Sequence, residues 1–226
     1  KRHGATSIIE YREIGYLPEA LFNFMALLGW NSGTAQEIFS RDELISQFSL
    51  EKVQKSGAIF DVTKLDWMNG EYIRKMPIEK LTRLCMPYLT KAHFIHTQSN
   101  DYVEHVIALE QPRLKKLSEI TEKVDYFFKE SAYEKELLRW KAITDDEIRE
   151  SLNMAINLLQ ENQEKNITEI ERIFLEQASV MGDRGKFLWP LRVALTGKKN
   201  SPGPFEIIHI LGIKEAIERL IRAINA

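Results

Sequence analysis

Phe187-Leu188-Trp189-Pro190-Leu191-Arg192-Val193-Ala194-Leu195-Thr196-Gly197 is apolar along almost its whole length, with one arginine inside it and a glycine at its end. It reads as a helix from Lys186 to Leu195, closed at Gly197. A lone guanidinium in such a run must reach water, a buried acid or a ligand, so Arg192 is a candidate for more than packing.

Downstream comes the turn-rich run Lys198-Lys199-Asn200-Ser201-Pro202-Gly203-Pro204, then two short helices, Phe205 to Leu211 and Lys214 to Ile224, split by Gly212. Ser201 to Phe205 is a tight loop at a helix start, with a hydroxyl, backbone donors and an aromatic face close together. Upstream, the same signals recur. Pro18 sits where a first helical turn tolerates it, and Leu21, Phe24, Met25 and Leu28 fall on one face of a helix from Leu17 to Gly29. Ser40-Arg41-Asp42-Glu43 and Thr144-Asp145-Asp146-Glu147 have capping-box spacing, opening helices that end near Phe48 and Asn162. Helices are also expected over 64–74, 77–89, from Ser99-Asn100-Asp101 to Glu110, from Gln111-Pro112-Arg113 to Phe128, and over 168–180. Only Ser56 to Val62 hints at an extended segment. The fold class is mainly α, without a repeat of fixed period.

The chain has 226 residues, 44% of them hydrophobic, enough for two or three cores. Charged residues make up 28% and the net charge is −2, which excludes a histone-like polycation. A local basic face can still bind phosphate. From Lys186 onward, Lys186, Arg192, Lys198, Lys199, Lys214, Arg219 and Arg222 outnumber the acids, which concentrate between Glu130 and Glu171. Cys85 is the only cysteine, so an internal disulfide and a multi-thiolate zinc site are excluded and a reducing compartment fits. No apolar run approaches the about 20 residues that cross a bilayer, and a cytoplasmic monomer is expected.

Several patterns carry no chemistry. His93 and His96 have no third ligand, so no metal site is expected. Gly182-Asp183-Arg184-Gly185-Lys186 lacks the spacing of a phosphate loop and its Ser or Thr after the lysine. No nucleophile-elbow context supports a hydrolase.

Lys1-Arg2-His3-Gly4-Ala5 resembles the tail of the Lys-Met/Leu-Ser-Lys-Arg signature of class I aminoacyl-tRNA synthetases. Gly15-Tyr16-Leu17-Pro18-Glu19-Ala20-Leu21, Leu27-Leu28-Gly29-Trp30, Lys64-Leu65-Asp66-Trp67-Met68-Asn69-Gly70 and Leu191-Arg192-Val193-Ala194-Leu195-Thr196-Gly197 resemble strings of one family, in its order, from end to end. On these residues the chain is similar to the C-terminal half of bacterial-type glutamyl-tRNA synthetases. No His-Ile/Leu-Gly-His signature and no strand–helix pattern with a nucleotide-binding glycine turn is found, so the N-terminal catalytic half is expected to be missing.

The resemblance implies a stem-contact domain over 1–77, then a helical anticodon-binding region with subdomains over 78–133 and 134–226. It implies tRNA(Glu) as partner, an inactive fragment without a cofactor, and a parent ligase that joins glutamate to tRNA with ATP and Mg. Lys1 and Arg2 would belong to the ATP-site loop, with Lys1 as its catalytic lysine. Arg113 would read the third anticodon base, admitting C and excluding G; the residues themselves place it in the first turn of a helix, where backbone N–H groups favour phosphate. Arg192, Ser201, Pro202 and Phe205 would line a second anticodon pocket, with the contact of Pro204 in doubt. Lys64 would anchor backbone phosphate of the tRNA stem, while Trp67 reads as core beside Leu65 and Met68. Two alternatives stay open: a nondiscriminating enzyme that also charges tRNA(Gln), and a helical protein-interaction module using the acidic middle as its partner face.

Overall fold

The computed structural model describes residues 7–54, 59–95 and 97–225. Lys1, Arg2, His96 and, of the Ser56 to Val62 segment, Ser56, Gly57 and Ala58 lie outside them; residues 59–61 form no strand and Val62 opens a helix. Twelve α-helices are present among the described residues, with no strand beyond a single antiparallel bridge between Trp30 and Val53. The chain separates into two compact units, Lys1–Glu122 and Lys123–Ala226.

The first unit contains α1 (Ile8–Ile14), α2 (Pro18–Gly29), α3 (Arg41–Gln47), α4 (Val62–Arg74), α5 (Ile78–Lys91) and α6 (Asn100–Glu110). Capping boxes fix the starts of α1 at Ser7 and Glu10 and of α3 at Ser40 and Glu43. α2 and α4 pack together, burying Leu21, Phe24, Leu65 and Met68 with Tyr16. Met25, expected on the buried face of α2, is instead exposed. So is Trp67, at 40%. α4 buries Leu65, Met68, Asn69 and Ile73, which recur at helical spacing. Trp67 is next to Met68 in sequence but off that stripe, so the core reading of Trp67 fails for a geometric reason.

The expected helix from Gln111 to Phe128 is replaced by a 3-10 turn at Gln111–Arg113, an extended Leu114, a 3-10 turn at Leu117–Glu119, the short helix α7 (Ile120–Val124) and a 3-10 turn at Asp125–Phe127. Its backbone groups have other partners. Lys115 O accepts from Asn69 Nδ2 at 2.5 Å, Leu117 N donates to Gly15 O at 3.1 Å, and Lys115 N donates to Glu119 Oε2 at 3.0 Å. These bonds take the place of an i→i−4 ladder.

The second unit is built round α10 (Arg184–Thr196), which packs against α8 (Asp145–Glu161), α9 (Ile167–Val180), α11 (Pro204–Leu211) and α12 (Ile213–Asn225). Enclosure by several helices explains why its sequence is apolar on so many sides. Phe187 stacks on Phe174 with centroids 5.5 Å apart, and Leu191, Val193 and Leu195 are buried. Asp183 caps α10 by accepting from Gly185 N at 2.9 Å, so the glycine-rich run over 182–186 serves as a helix start. Gly197, in the left-handed region at φ 65°, closes the helix; a Cβ there would lie 2.7 Å from Ser131 Cβ.

Candidate nucleic-acid interface

Arg113 stands on the 3-10 turn that follows α6, at the carbonyl end of that helix. The expected helix N-terminus is therefore absent, and with it the backbone N–H cluster that would favour phosphate. The turn is held from below. Gln111 Nε2 donates at 2.8 Å to both Ile73 O and Met76 O, and Arg74 Nη1 lies 3.5 Å from Pro112 O. Arg113 Nη1 donates at 3.0 Å to each carboxylate oxygen of Glu110, whose side chain is 1% exposed, whereas that of Arg113 is 32% exposed. The arginine thus has one end of its head group on a buried acid and the rest near solvent.

The second cluster is assembled by α10 and the turn after it. Trp140, Arg184, Leu188, Trp189, Arg192, Ser201, Pro202 and Pro204 line an open depression of about 300 Å³ together with Gly185 and Gly203. The Arg192 guanidinium lies 4.8 Å from the Trp189 ring centroid, and its Nη2 donates to Lys199 O at 3.0 Å. That bond ties the arginine to the Lys198–Pro204 turn. Glu206 Oε2 accepts from Gly203 N at 2.7 Å, setting the entry to α11. Ser201 and Pro202 join Arg192 as expected, but Phe205 does not: it is buried, edge-on to Phe174 at 5.6 Å. Its place on the rim is taken by Pro204. In the first turn of α11, neighbouring positions point to different sides, so one residue enters the core and the other faces the depression.

Trp140 and Trp189 were not singled out from sequence. Trp189 stands three residues before Arg192, one helical turn away, and that i,i+3 spacing is a signal that could have found it. Trp140 lies 5.3 Å from Trp189 and donates from Nε1 to Asp183 at 3.2 Å. Asp183 also accepts from Lys141 Nζ at 2.9 Å. The bonds from Lys141, Trp140 and Gly185 N hold the Asp183 carboxyl down at about 2. Only folding brings Trp140 here.

Lys64 is in the first turn of α4, ion-paired to Glu37 at 2.5 Å and partly exposed. Much of the basic C-terminal stretch is likewise matched by acids: Lys186 with Glu147, Lys198 with Asp125, Arg219 with Glu215, and Arg222 with Glu130 and Glu215. Lys1 and Arg2 lie outside the described residues, as does His96. Among the described residues no group of His, Cys, Asp and Glu is placed to hold a metal ion, and no helix is long and apolar enough to cross a membrane.

The second unit thus presents an arginine against an aromatic ring beside a proline-rich turn, groups that can stack on or bond to an unpaired base. Comparisons with known proteins give the family. The family model "Anticodon binding domain" matches residues 80–224, and the chain belongs to that family. Residues 1–67 match the model "tRNA synthetases class I (E and Q), catalytic domain". The chain is 37% identical to a glutamate–tRNA ligase of Desulforamulus reducens and 38% identical to one of Carboxydothermus hydrogenoformans, covering all of this chain and 48% of each relative. A crystal structure of a glutamate tRNA ligase from Elizabethkingia meningosepticum superposes with TM-score 0.77 at 29% identity, over 96% of this chain and 42% of that one. The chain spans about half the length of the curated relatives it matches and aligns with their C-terminal half.

Proposed function

We propose that this chain is the tRNA-binding part of a glutamate–tRNA ligase and recognises the stem and anticodon of tRNA(Glu). The observation that carries the reading is the Arg192–Trp189 pair, 4.8 Å apart, beside Ser201, Pro202 and Pro204. A flat cation over an indole face extends a stacking surface that any unpaired base can continue, and the adjoining turn supplies a hydroxyl and backbone groups for a base edge. In the other unit, Arg113 reads the third anticodon base, supported by its partly exposed head group. Lys64 contacts stem phosphate, for which its ion pair with Glu37 must open. Phe205 contributes by shaping the turn from beneath.

The functional division is a stem-contact domain over 1–77 and anticodon-binding subdomains over 78–133 and 134–226. The start of the anticodon-domain match at residue 80 supports the first boundary. The parent protein joins glutamate to tRNA with ATP and Mg, in the cytoplasm and as a monomer. ATP and Mg belong with the catalytic half, and Lys1 and Arg2 are the residues here that would touch nucleotide phosphate.

The test is a binding titration of the 226-residue chain with a tRNA(Glu) transcript at several salt concentrations. Binding that weakens steeply as salt rises is expected, since phosphate contacts release counterions. Absence of binding, or affinity indifferent to salt, overturns the proposal.

A further inference from the structure

Glu110 is the last residue of α6, and it is buried to 0% exposure. A carboxylate there loses the hydration that makes its charge cheap, and its attraction to an arginine recovers that loss only partly. An ion pair of this kind adds little net stability compared with an apolar pair of the same volume. What it fixes is direction. Both recorded bonds from Arg113 to Glu110 are made by one nitrogen, Nη1, at 3.0 Å to Oε1 and Oε2. The planar guanidinium is thereby held by one corner, and Nε and Nη2 are left out of that contact.

The backbone beneath is equally constrained. Glu110 and Arg113 are separated by Gln111, bonded to two carbonyls at the end of α4, and by Pro112, whose ring restricts φ. A flexible surface arginine forfeits side-chain entropy each time it binds; one anchored at both backbone and head group has already lost it.

We propose that Glu110 is a positioning residue for Arg113, holding its guanidinium so that the remaining donors meet an RNA base edge in one orientation. This rests on the base-reading role of Arg113 given above. The orientation matters more for discrimination than for affinity. A freely turning arginine finds an acceptor on either C or G, whereas a held one fits the smaller base and leaves the larger one mismatched.

The experiment uses the 226-residue chain and two tRNA(Glu) transcripts that differ only in C or G at the third anticodon position, at one salt concentration. The wild type is expected to prefer C. Glu110→Gln keeps the shape and removes the charge; it is expected to narrow the C-to-G affinity ratio by about fivefold or more, the lower end of the cost of a misdirected base-reading arginine. In an Arg113→Gln background, Glu110→Gln should change the ratio no further, because a positioning residue acts through the group it positions. Circular dichroism checks that the helices persist. If E110Q does not fold, Glu110→Asp, which keeps the charge but retracts it by one methylene, is expected to narrow the ratio in the same way.

A ratio unchanged by the Glu110 variant overturns the inference, as does an equal effect with and without Arg113. A fall in affinity for both transcripts alike does so too, since that is what mere structural damage gives. A wild type that binds RNA without preferring C removes the inference but leaves the tRNA-binding proposal standing; a wild type that binds neither transcript removes both.

Discussion

Replacing Arg192 by alanine separates a binding arginine from a structural one. In the free chain the guanidinium lies 4.8 Å from the Trp189 centroid and donates to Lys199 O at 3.0 Å. A partly exposed cation–π contact contributes about 0.5 to 1 kcal/mol, and a solvent-accessible hydrogen bond about as much again. R192A should therefore cost roughly 1 to 2 kcal/mol of stability, lowering Tm while the helices remain formed. Binding should suffer separately. Because the side chain is already ordered, its contribution to a stacked base is offset by little entropy, and about 1 to 3 kcal/mol should be lost. That is a roughly 5- to 150-fold rise in Kd. Fluorescence anisotropy with labelled tRNA(Glu) at one salt concentration measures it, and circular dichroism verifies the fold. Arg192→Lys sharpens the result: it keeps the charge but has no plane, so it should recover only part of the loss. Unchanged affinity of a folded R192A, or full recovery by R192K, would falsify the stacking role.

Gly185 tests how the depression is built. A Cβ there would lie 2.2 Å from Trp140 Cε2, and Trp140 is tied to Asp183, so Gly185→Ala must push the indole aside; a melting temperature equal to wild type would mean that Trp140 is not seated as described. The Asp183 carboxyl is depressed from 3.8 to about 2 by its bonds to Lys141, Trp140 and Gly185 N. A depressed acid stabilises the fold above its unfolded pKa, and that contribution fades as pH falls from about 4 to 2. Asp183→Asn should remove this part of the acid sensitivity, which thermal melts across that pH window can read. Burial pushes the Cys85 thiol up to about 12, so a disulfide reagent at neutral pH should modify it only when the chain opens; rapid labelling of folded protein would contradict its placement.

Local rules made most of the helices legible. Ser40 with Glu43 and Thr144 with Glu147 satisfy each other's backbone within one turn, so their three-residue spacing identifies helix starts wherever the chain folds. Gly197 and Gly212 mark stops for the same reason: the left-handed region excludes most side chains locally. The run from Phe187 to Gly197 was likewise readable, and the strings around Tyr16, Trp30, Trp67 and Arg192 carried the family resemblance that the matches bear out.

What escaped the sequence depended on distant partners. Residues 111–128 have helical composition, yet Asn69, Gly15 and Glu119 take their backbone groups, and no window of the chain contains those competitors together. Whether Pro204 or Phe205 faces the depression turned on where Phe174 lies in the folded unit. Trp140 reaches Trp189 across many residues, and Glu110 becomes a buried anchor for Arg113 only in the folded unit. Where a capping box or a closing glycine is present, the sequence by itself determined where a helix begins or ends, because those caps and turns are closed within a few residues. Tertiary structure alone decided which side chains meet, which are exposed and which charge is stripped of its hydration, because burial is a property of the assembled surface rather than of neighbours along the chain.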